Sequence, residues 1–141
     1  MQVKIKKIHK DAVIPHYAKN GDAGLDLTAV SIRQLPSGAI EYGTGLCVEI
    51  PQGYVGLIFP RSSLQKYVMH LANSVGVVDS GYRGEIMCTF RVTTEKDTAV
   101  YSVGDRVAQM IIMPYPKVEF VEEGELAASE RGEGRYGSSG N

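Results

Sequence analysis

Several short segments of the chain carry the residue types that bind phosphate or activate water. The first, Ala23 to Ala29, contains Asp26, a carboxylate that could hold water on a magnesium ion, because Mg²⁺ takes oxygen ligands and keeps several waters. The second joins Arg61 to Ser62 and Ser63, whose guanidinium fork, hydroxyls and helix-start amides suit phosphate oxygens. Each also has a structural interpretation, since Asp26 could be a turn residue and Ser62 a helix cap.

The third segment, Asn73 to Glu85, has the pattern of a β-hairpin, with apolar runs at 75–78 and 85–92 around a turn-like stretch. Backbone donors and acceptors at an opened hairpin could pair with a pyrimidine and select uracil by their geometry. A carboxylate beside them, Asp79, could act as general base on a water molecule. The structural alternative is that this aspartate only builds the turn.

The fourth segment, Gly104 to Gln109, has a structural interpretation as a turn and a strand in which Asp105 pairs with Arg106. The fifth is the glycine-rich end of the chain, 130–141, which adds two arginines, an aromatic ring and two hydroxyls to its glycines. Bare backbone amides in such a loop can approach phosphates closely. The segment lacks the G-K-[ST] ending and the following helix of a P-loop.

These segments need a scaffold, and the sequence predicts one made of strands. Apolar residues come in short bursts bounded by glycine and proline, and the helix signal is limited to one or two turns at 62–67. The predicted strands are 3–8, 46–51, 54–59, 75–78, 85–92, 99–101, 107–113 and 118–121. Many short strands with Gly/Pro turns predict an all-β sandwich or jelly roll.

The length of 141 residues favours one domain. From Glu122 the composition becomes acidic and small, and such a stretch cannot bury enough apolar area to order itself. We therefore divide the chain into a jelly-roll domain, 1–121, and a flexible C-terminal arm, 122–141.

The charge pattern excludes two classes of partner. The net charge of −1 gives no general attraction to nucleic acid or to anionic membranes. Charges interrupt every apolar stretch at the start of the chain, so no signal peptide or membrane span is predicted, and we expect an intracellular, cytoplasmic protein. Cys47 and Cys88 show no metal-ligand spacing and are predicted to be small buried hydrophobic residues.

All five segments occur, in the same order, in one known family. From about Ala23 to Gly140 the chain resembles the trimeric dUTP diphosphatase (dUTPase) family, through the motifs A-G-L-D-L, P-R-S-S-L, G-V-V-D-S-G-Y-R-G-E, G-D-R-V-A-Q and R-G-E-G-R-Y-G-S-S-G. The resemblance implies a distorted jelly roll that forms a homotrimer, with active sites at subunit contacts that each draw on all three chains. The arm would close a neighbouring site. The implied reaction is hydrolysis of dUTP to dUMP and pyrophosphate, which keeps uracil out of DNA and supplies dUMP for thymidylate synthesis.

The resemblance also implies a role for individual residues. Asp79 matches the carboxylate that orients and deprotonates the attacking water, and Tyr82 matches the ring that leaves no room for a 2′-hydroxyl on the sugar. Asp26 matches the acid near Mg²⁺, acting through water, and Tyr136 should cover the uracil. The uracil pocket is matched by Asn73, Val77, Val78 and Met87. The phosphate contacts are matched by Arg61, Ser62, Ser63, Gln109, Arg131, Gly137, Ser138 and Ser139.

The chain departs from the family pattern at a few positions, and two rival functions stay open. Tyr136 stands where Phe is common, Gly81 where an acid is frequent, and Leu25 where an aromatic is frequent. His70 is assigned a structural role. The rivals are a dCTP deaminase of the same fold and a dUTPase-fold regulatory module that binds a protein partner.

Overall fold

The computed structural model describes residues 1–93 and 99–135, and these residues form two antiparallel β-sheets around one core. Within this part of the chain one 3-10 helix, Ser62–Lys66, is present. The strands are β1 (Lys4–Lys7), β2 (Leu25–Thr28), β3 (Ser31–Gln34), β4 (Ile40–Glu49), β5 (Tyr54–Pro60), β6 (Met69–Leu71), β7 (Gly76–Val78), β8 (Glu85–Val92) and β9 (Arg106–Pro114). The prediction of an all-β jelly roll is confirmed.

The larger sheet is built around β4 and has the order β1-β4-β8-β6, with β3 also paired to β4. The ten residues of β4 are long enough for β1 and β3 to share one edge, while β8 pairs along the other. Along β8 buried and exposed side chains alternate, as the two-residue period of a strand requires. The buried members are Ile86, Cys88 and Phe90.

The smaller sheet has the order β2-β9-β5-β7 and aligns three of the sequence motifs. Asp26 on β2 lies opposite Gln109 on β9, which lies opposite Phe59 on β5, one residue before Pro60 and the Arg61 segment. On the inner face Ile58 is buried opposite Met110 of β9. The strand register therefore brings together residues that are far apart in sequence.

Aromatic rings fill the part of the core beneath the 3-10 helix. Tyr42 is fully buried and packs edge-on against Phe90 and Tyr101, with ring centroids 5.7 and 6.0 Å apart. Tyr67, just after the helix, packs on Tyr101 at 4.4 Å. The Tyr42 hydroxyl donates to the Tyr101 carbonyl at 3.2 Å, and burial raises the pKa of Tyr42 to about 12. The phenol is therefore a neutral hydrogen-bond donor at physiological pH.

A bulge in β4 anchors the start of β8. Between the pairs Gly43–Met87 and Cys47–Glu85 the register shifts, and Gly45 adopts a left-handed backbone with φ of 68°. The side chain of Glu85 accepts a hydrogen bond from the Gly45 amide at 2.7 Å. Since such a bulge leaves backbone groups without ladder partners, this carboxylate stabilises both the bulge and the first residue of β8.

The predicted hairpin of 75–78 and 85–92 is wrong, although both strands exist. β7 pairs with β5 in the smaller sheet, whereas β8 pairs with β4 and β6 in the larger one. Residues 79–84 therefore cross from one sheet to the other. Val78 enters the core from the smaller sheet and Ile86 from the larger one. Burial of the apolar side chains of both strands therefore outweighs the local preference for a tight hairpin.

Two predicted strands, 99–101 and 118–121, are absent, and the predicted helix cap at Ser62 is wrong. Residues 99–101 form no strand, because Tyr101 is held by side-chain packing in the aromatic cluster. Residues 118–121 form no strand and find no partner among the described residues, and Phe120 is 95% exposed. Ser62 is the first residue of the 3-10 helix, whose cap is Arg61 without a side-chain cap hydrogen bond.

The cysteine prediction is half right. Cys88 is buried, and burial raises the pKa of its thiol to about 12, so it behaves as a small neutral core residue. Cys47 is only partly buried, next to Lys6 on β1. Within residues 1–93 and 99–135 we find no helix of the length and apolarity that a bilayer crossing requires.

Candidate active site

A cavity of about 220 Å³ opens where β7 leaves one sheet and β8 enters the other. Its lining comprises Ile58, Asn73, Gly76, Val77, Val78, Asp79, Tyr82, Glu85, Ile86 and Met87. Six of these were predicted as site residues: Asn73, Val77, Val78, Asp79, Tyr82 and Met87. Buried Ile58, Val78 and Ile86 make an apolar floor, whereas Asp79 and Tyr82 are exposed. The volume is below the roughly 300–1,000 Å³ of complete ligand sites, so the cavity has room for part of a ligand.

The crossover 79–84 places two of the polar side chains of the cavity, those of Asp79 and Tyr82. Its first residues form a turn, in which the Tyr82 amide donates to the Asp79 carbonyl at 3.0 Å. The guanidinium of Arg83 donates from Nη1 to the carbonyls of Ser80 and Tyr82, at 2.7 and 2.8 Å. The Tyr82 hydroxyl donates to the Glu85 carbonyl at 3.0 Å. The crossover is thus held by the side chains of Tyr82 and Arg83, at the end of the turn, and Asp79 contributes only its backbone carbonyl.

Asn73 lies in a tight turn before β7. Ser74 has φ of 61°, a left-handed conformation that is uncommon outside glycine and costs on the order of 1–3 kcal/mol. A Cβ at Gly76 would lie 3.1 Å from the Cβ of Ile58 and 3.5 Å from Nδ2 of Asn73, so glycine keeps this end of the cavity open. Strain of this kind is often located at functional sites.

Apart from the cavity, Arg61 and Arg106 form an arginine cluster around Asp26. The Asp26 carboxylate accepts from Nε of Arg61 at 2.7 Å and from Nη1 of Arg106 at 2.9 Å. Arg61 also donates to the Ser63 hydroxyl at 3.1 Å. Side-chain exposures of 13% for Asp26 and 22% for Arg61 show that this ion pair is largely buried. The structural interpretation that paired Asp105 with Arg106 is wrong, since Asp105 instead accepts from the Ser102 amide at 2.7 Å.

The remaining predicted phosphate contacts border this cluster. Ser62 is exposed at the start of the 3-10 helix, and the Gln109 amide donates to the Pro60 carbonyl at 3.0 Å. A Cβ at Gly24 would contact the Gln109 side chain, at 3.1 Å from its Cδ, so glycine lets that side chain lie over β2. None of Arg61, Ser62, Ser63 or Gln109 lines the cavity. Within one chain the predicted site is therefore split in two.

The predicted contacts of the arm are only partly within the described residues. Arg131 is exposed and its Nε donates to the Gly134 carbonyl at 3.1 Å, a local turn. The predicted residues Tyr136, Gly137, Ser138 and Ser139 lie outside the described residues. His70 is exposed on β6 and does not line the cavity.

The side chains around Asp26 decide whether protein ligands alone could hold the predicted magnesium ion. Within residues 1–93 and 99–135 no group of three or more His, Cys, Asp and Glu side chains could hold a metal. Both oxygens of Asp26 are engaged by arginines, but each keeps a second lone pair that can accept a hydrogen bond from a metal-bound water. The residues present therefore fit an ion that is held mainly by a ligand's own oxygens, with Asp26 acting through water.

Several residues of the cavity and of the arginine cluster were not predicted as site residues from the sequence. Glu85 lines the cavity while its carboxylate accepts from the Gly45 amide, and Arg106 completes the ion pair of Asp26. Both belong to the quoted motifs, so the motif was a usable signal. Ile58 and Ile86 read as ordinary strand residues, and only the tertiary structure shows that they form the cavity floor.

The fold and the split site define a class: a jelly-roll β protein with a cavity of about 220 Å³ that carries a carboxylate and a tyrosine, and with a separate arginine cluster. A family model described as dUTPase matches residues 10–140. The chain belongs to the dUTPase family, as the motifs predicted.

Individual relatives agree with this assignment. The chain is 39% identical to the deoxyuridine 5′-triphosphate nucleotidohydrolase of Hydrogenobaculum sp. (strain Y04AAS1), with 99% of each chain covered. It is 41% identical to the enzyme of the same name from Solibacter usitatus (strain Ellin6076), covering 99% of this chain and 97% of the relative. Among solved structures, the Staphylococcus bacteriophage 80alpha dUTPase with dUpNHpp superposes with a TM-score of 0.81, at 27% identity and 99% coverage of both chains.

Proposed function

We propose that the protein hydrolyses dUTP to dUMP and pyrophosphate. The observation that carries the proposal is the cavity at the 79–84 crossover, where a carboxylate and a tyrosine stand beside an apolar, ring-sized floor. Family membership and relatives named as deoxyuridine 5′-triphosphate nucleotidohydrolases support the same substrate. The activity would keep uracil out of DNA and supply dUMP for thymidylate synthesis, and we expect it in the cytoplasm.

The cavity supplies the half of the site that binds the nucleoside. Uracil would lie over the floor with its polar edge toward Asn73 and the backbone of Val77 and Val78, and Met87 would border it. Tyr82 would pack against the deoxyribose and occupy the space of a 2′-hydroxyl. Asp79 would take a proton from a water molecule that forms a bond to the α-phosphorus, while the bond from that phosphorus to the bridging oxygen breaks and pyrophosphate leaves.

A triphosphate needs cations, and the described residues that line the cavity include no lysine or arginine. The predicted phosphate contacts Arg61, Ser62, Ser63 and Gln109 lie outside the cavity of their own chain. We therefore infer that these phosphate contacts come from a neighbouring subunit of a homotrimer. A closed symmetric ring of three copies generates equivalent sites at every contact.

The C-terminal part of the chain supports the same assembly. Residues 115–135 are exposed and make no strand or helix, and Phe120 and Leu126 are 95% and 91% exposed. Large apolar side chains left bare in one chain indicate burial against another. We propose that 1–121 is the folded domain and that the arm 122–141 reaches a neighbouring site, where Arg131 and residues 137–139 contact phosphates and Tyr136 covers the uracil.

Magnesium belongs to this proposal as an ion held chiefly by the substrate. When bound to the phosphates it would neutralise their charge and hold them in line for the attack. Asp26 would orient one of its waters. In this arrangement the contacts with Arg61 and Arg106 would hold the Asp26 carboxylate on the phosphate side of the site.

Pyrophosphate release from dUTP, UTP, dTTP and dCTP, with and without Mg²⁺, tests the proposed function. We expect fast release from dUTP with Mg²⁺, much slower release when the ion is chelated, and little release from the other nucleotides. Release of pyrophosphate from all four at similar rates would contradict the uracil and deoxyribose specificity. No release from dUTP would contradict the function itself.

Replacing Tyr82 with alanine should raise UTP hydrolysis relative to dUTP hydrolysis. Removing the ring opens the space for a 2′-hydroxyl, and the ratio of kcat/KM for UTP to that for dUTP should rise roughly tenfold or more, the range of a steric contact of this size. Tyr115→Ala is the matched control, because Tyr82 and Tyr115 are 46% and 47% exposed and Tyr115 lies outside the cavity. An unchanged ratio in Tyr82→Ala would remove this residue from sugar selection.

The rival functions are less well supported. A dCTP deaminase needs a glutamate free to act on the cytosine ring, but the cavity's glutamate, Glu85, is engaged with the Gly45 amide. Ammonia release from dCTP would revive that rival, and we expect none. A regulatory role could coexist with catalysis. The phage 80alpha dUTPase belongs to phage dUTPases that control transfer of virulence genes.

A further inference from the structure

The ring of Tyr82 is held against the backbone that follows it, and two neighbouring residues make this possible. Its hydroxyl donates to the Glu85 carbonyl at 3.0 Å, three residues further along the chain. The ring must therefore lie along the Tyr82–Glu85 backbone. Because the side chain is 46% exposed, packing against the core does not determine its orientation. The orientation of the ring is therefore determined by contacts within the crossover 79–84.

Gly84 supplies the space that this orientation requires. A Cβ built at Gly84 would contact the Tyr82 hydroxyl and would lie 2.6 Å from Cζ and 2.9 Å from Cε2 of the ring. These separations are far below carbon–carbon contact distances, so any side chain at 84 displaces the ring. Gly84 is not among the glycines with positive φ, so an alanine would be tolerated by the backbone. Glycine is therefore required at position 84 because the Tyr82 ring occupies the space that a side chain would take.

Arg83 restrains the backbone position from which the Tyr82 side chain extends. Its Nη1 donates to the Ser80 carbonyl at 2.7 Å and to the Tyr82 carbonyl at 2.8 Å, on both sides of Gly81. The guanidinium thus joins the tip of the turn to its end and limits rotation of the Tyr82 backbone. Charge-assisted hydrogen bonds to carbonyls are among the stronger local restraints.

We propose that Gly84 and Arg83 are specificity-determining positioning residues. Gly84 leaves room for the Tyr82 ring to lie back along the chain, Arg83 restrains the backbone that carries it, and together they set the clearance between the ring and C2′ of the sugar. The inference rests on the proposed function, in which Tyr82 excludes a 2′-hydroxyl. It adds that the exclusion depends on these neighbours as well as on the ring itself.

The test is Gly84→Ala, compared with Gly81→Ala as a matched control. Both variants add one methyl group to the same crossover, but a Cβ at Gly81 meets nothing within 4 Å. In Gly84→Ala the ratio of kcat/KM for UTP to that for dUTP should rise about tenfold or more, whereas Gly81→Ala should keep the wild-type ratio. Arg83→Met should change the ratio in the same direction by a smaller factor. A folded Gly84→Ala enzyme with the wild-type ratio would overturn the proposal.

A double-mutant cycle shows whether the effect passes through the ring. In a Tyr82→Ala background, Gly84→Ala should leave the UTP to dUTP ratio unchanged, because there is no ring left to displace. An additional change of the same size in that background would mean that Gly84 acts independently of Tyr82. This outcome would contradict the mechanism even if the single variant behaves as expected.

A measurement on the unmodified protein keeps the proposal testable if Gly84→Ala fails to fold. Nuclear Overhauser effects between the Tyr82 ring protons and the Gly84 α protons should be strong, and their absence would overturn the inference. The two proposals fail in different ways. If the wild type releases no pyrophosphate from dUTP, both fall. If it prefers dUTP over UTP but Gly84→Ala keeps that preference, only the positioning role falls.

Discussion

Asp79→Asn should lower kcat for dUTP hydrolysis by roughly two or more orders of magnitude, the cost of losing a positioned general base. Asparagine has almost the same shape but cannot accept the proton of the attacking water. The substitution should leave the fold intact, because Asp79 is exposed and the turn uses its carbonyl, which accepts from the Tyr82 amide at 3.0 Å. Binding of dUpNHpp, measured by calorimetry, should therefore persist.

Asp11→Asn is the control for this prediction. It removes the same charge from another exposed position, on an aspartate that does not line the cavity. Its turnover should match that of the wild type. Near-normal turnover in Asp79→Asn would reject the catalytic assignment, and so would a crystal structure in which this carboxylate points away from the bound nucleotide. A parallel loss of dUpNHpp binding would indicate a binding role in place of a chemical one.

Deleting residues 130–141 should remove most of the activity, by roughly 100-fold in kcat/KM, as expected when reacting groups lose their alignment. The described part of this segment makes only local hydrogen bonds, such as that from the Gly134 amide to the Arg131 carbonyl at 3.0 Å. The described residues 130–135 are exposed, so their removal takes nothing from the core. Light scattering should therefore give the same trimer mass as for the full-length chain, while pyrophosphate release falls.

Mixed trimers provide the sharper version of this experiment. Co-expressing the truncated chain with Asp79→Asn combines subunits that lack the arm with subunits that lack the base. If each site takes its base and its arm from different subunits, about a quarter of the sites in random trimers hold both, and activity returns. If base and arm come from the same chain, no mixture is active. Full activity of the truncated enzyme alone would show that the arm has no part in catalysis.

The fold was predictable wherever its determinants are local. Alternation in Glu85–Val92 and the Gln52-Gly53 turn before β5 are short-range signals, and the strands they predict are present. The strands at 99–101 and 118–121 were predicted from the same kind of apolar run. They fail because an extended apolar run becomes a strand only when it finds a ladder partner, and the described part of the chain supplies none.

The residue types of the candidate site could be proposed from the sequence because chemistry restricts them: a base needs a carboxylate, phosphates need arginines and amides, and a crowded turn needs glycine. The resemblance carried by the order of the motifs then assigned Asp79, Tyr82 and Arg61 their predicted roles. Only the tertiary structure decided that β7 and β8 join different sheets, that Asp26 pairs with both Arg61 and Arg106, and that the cavity and the arginine cluster are separate in one chain. These features depend on which distant surfaces are buried against each other. That choice is a competition over the whole core, and no short stretch of sequence contains it.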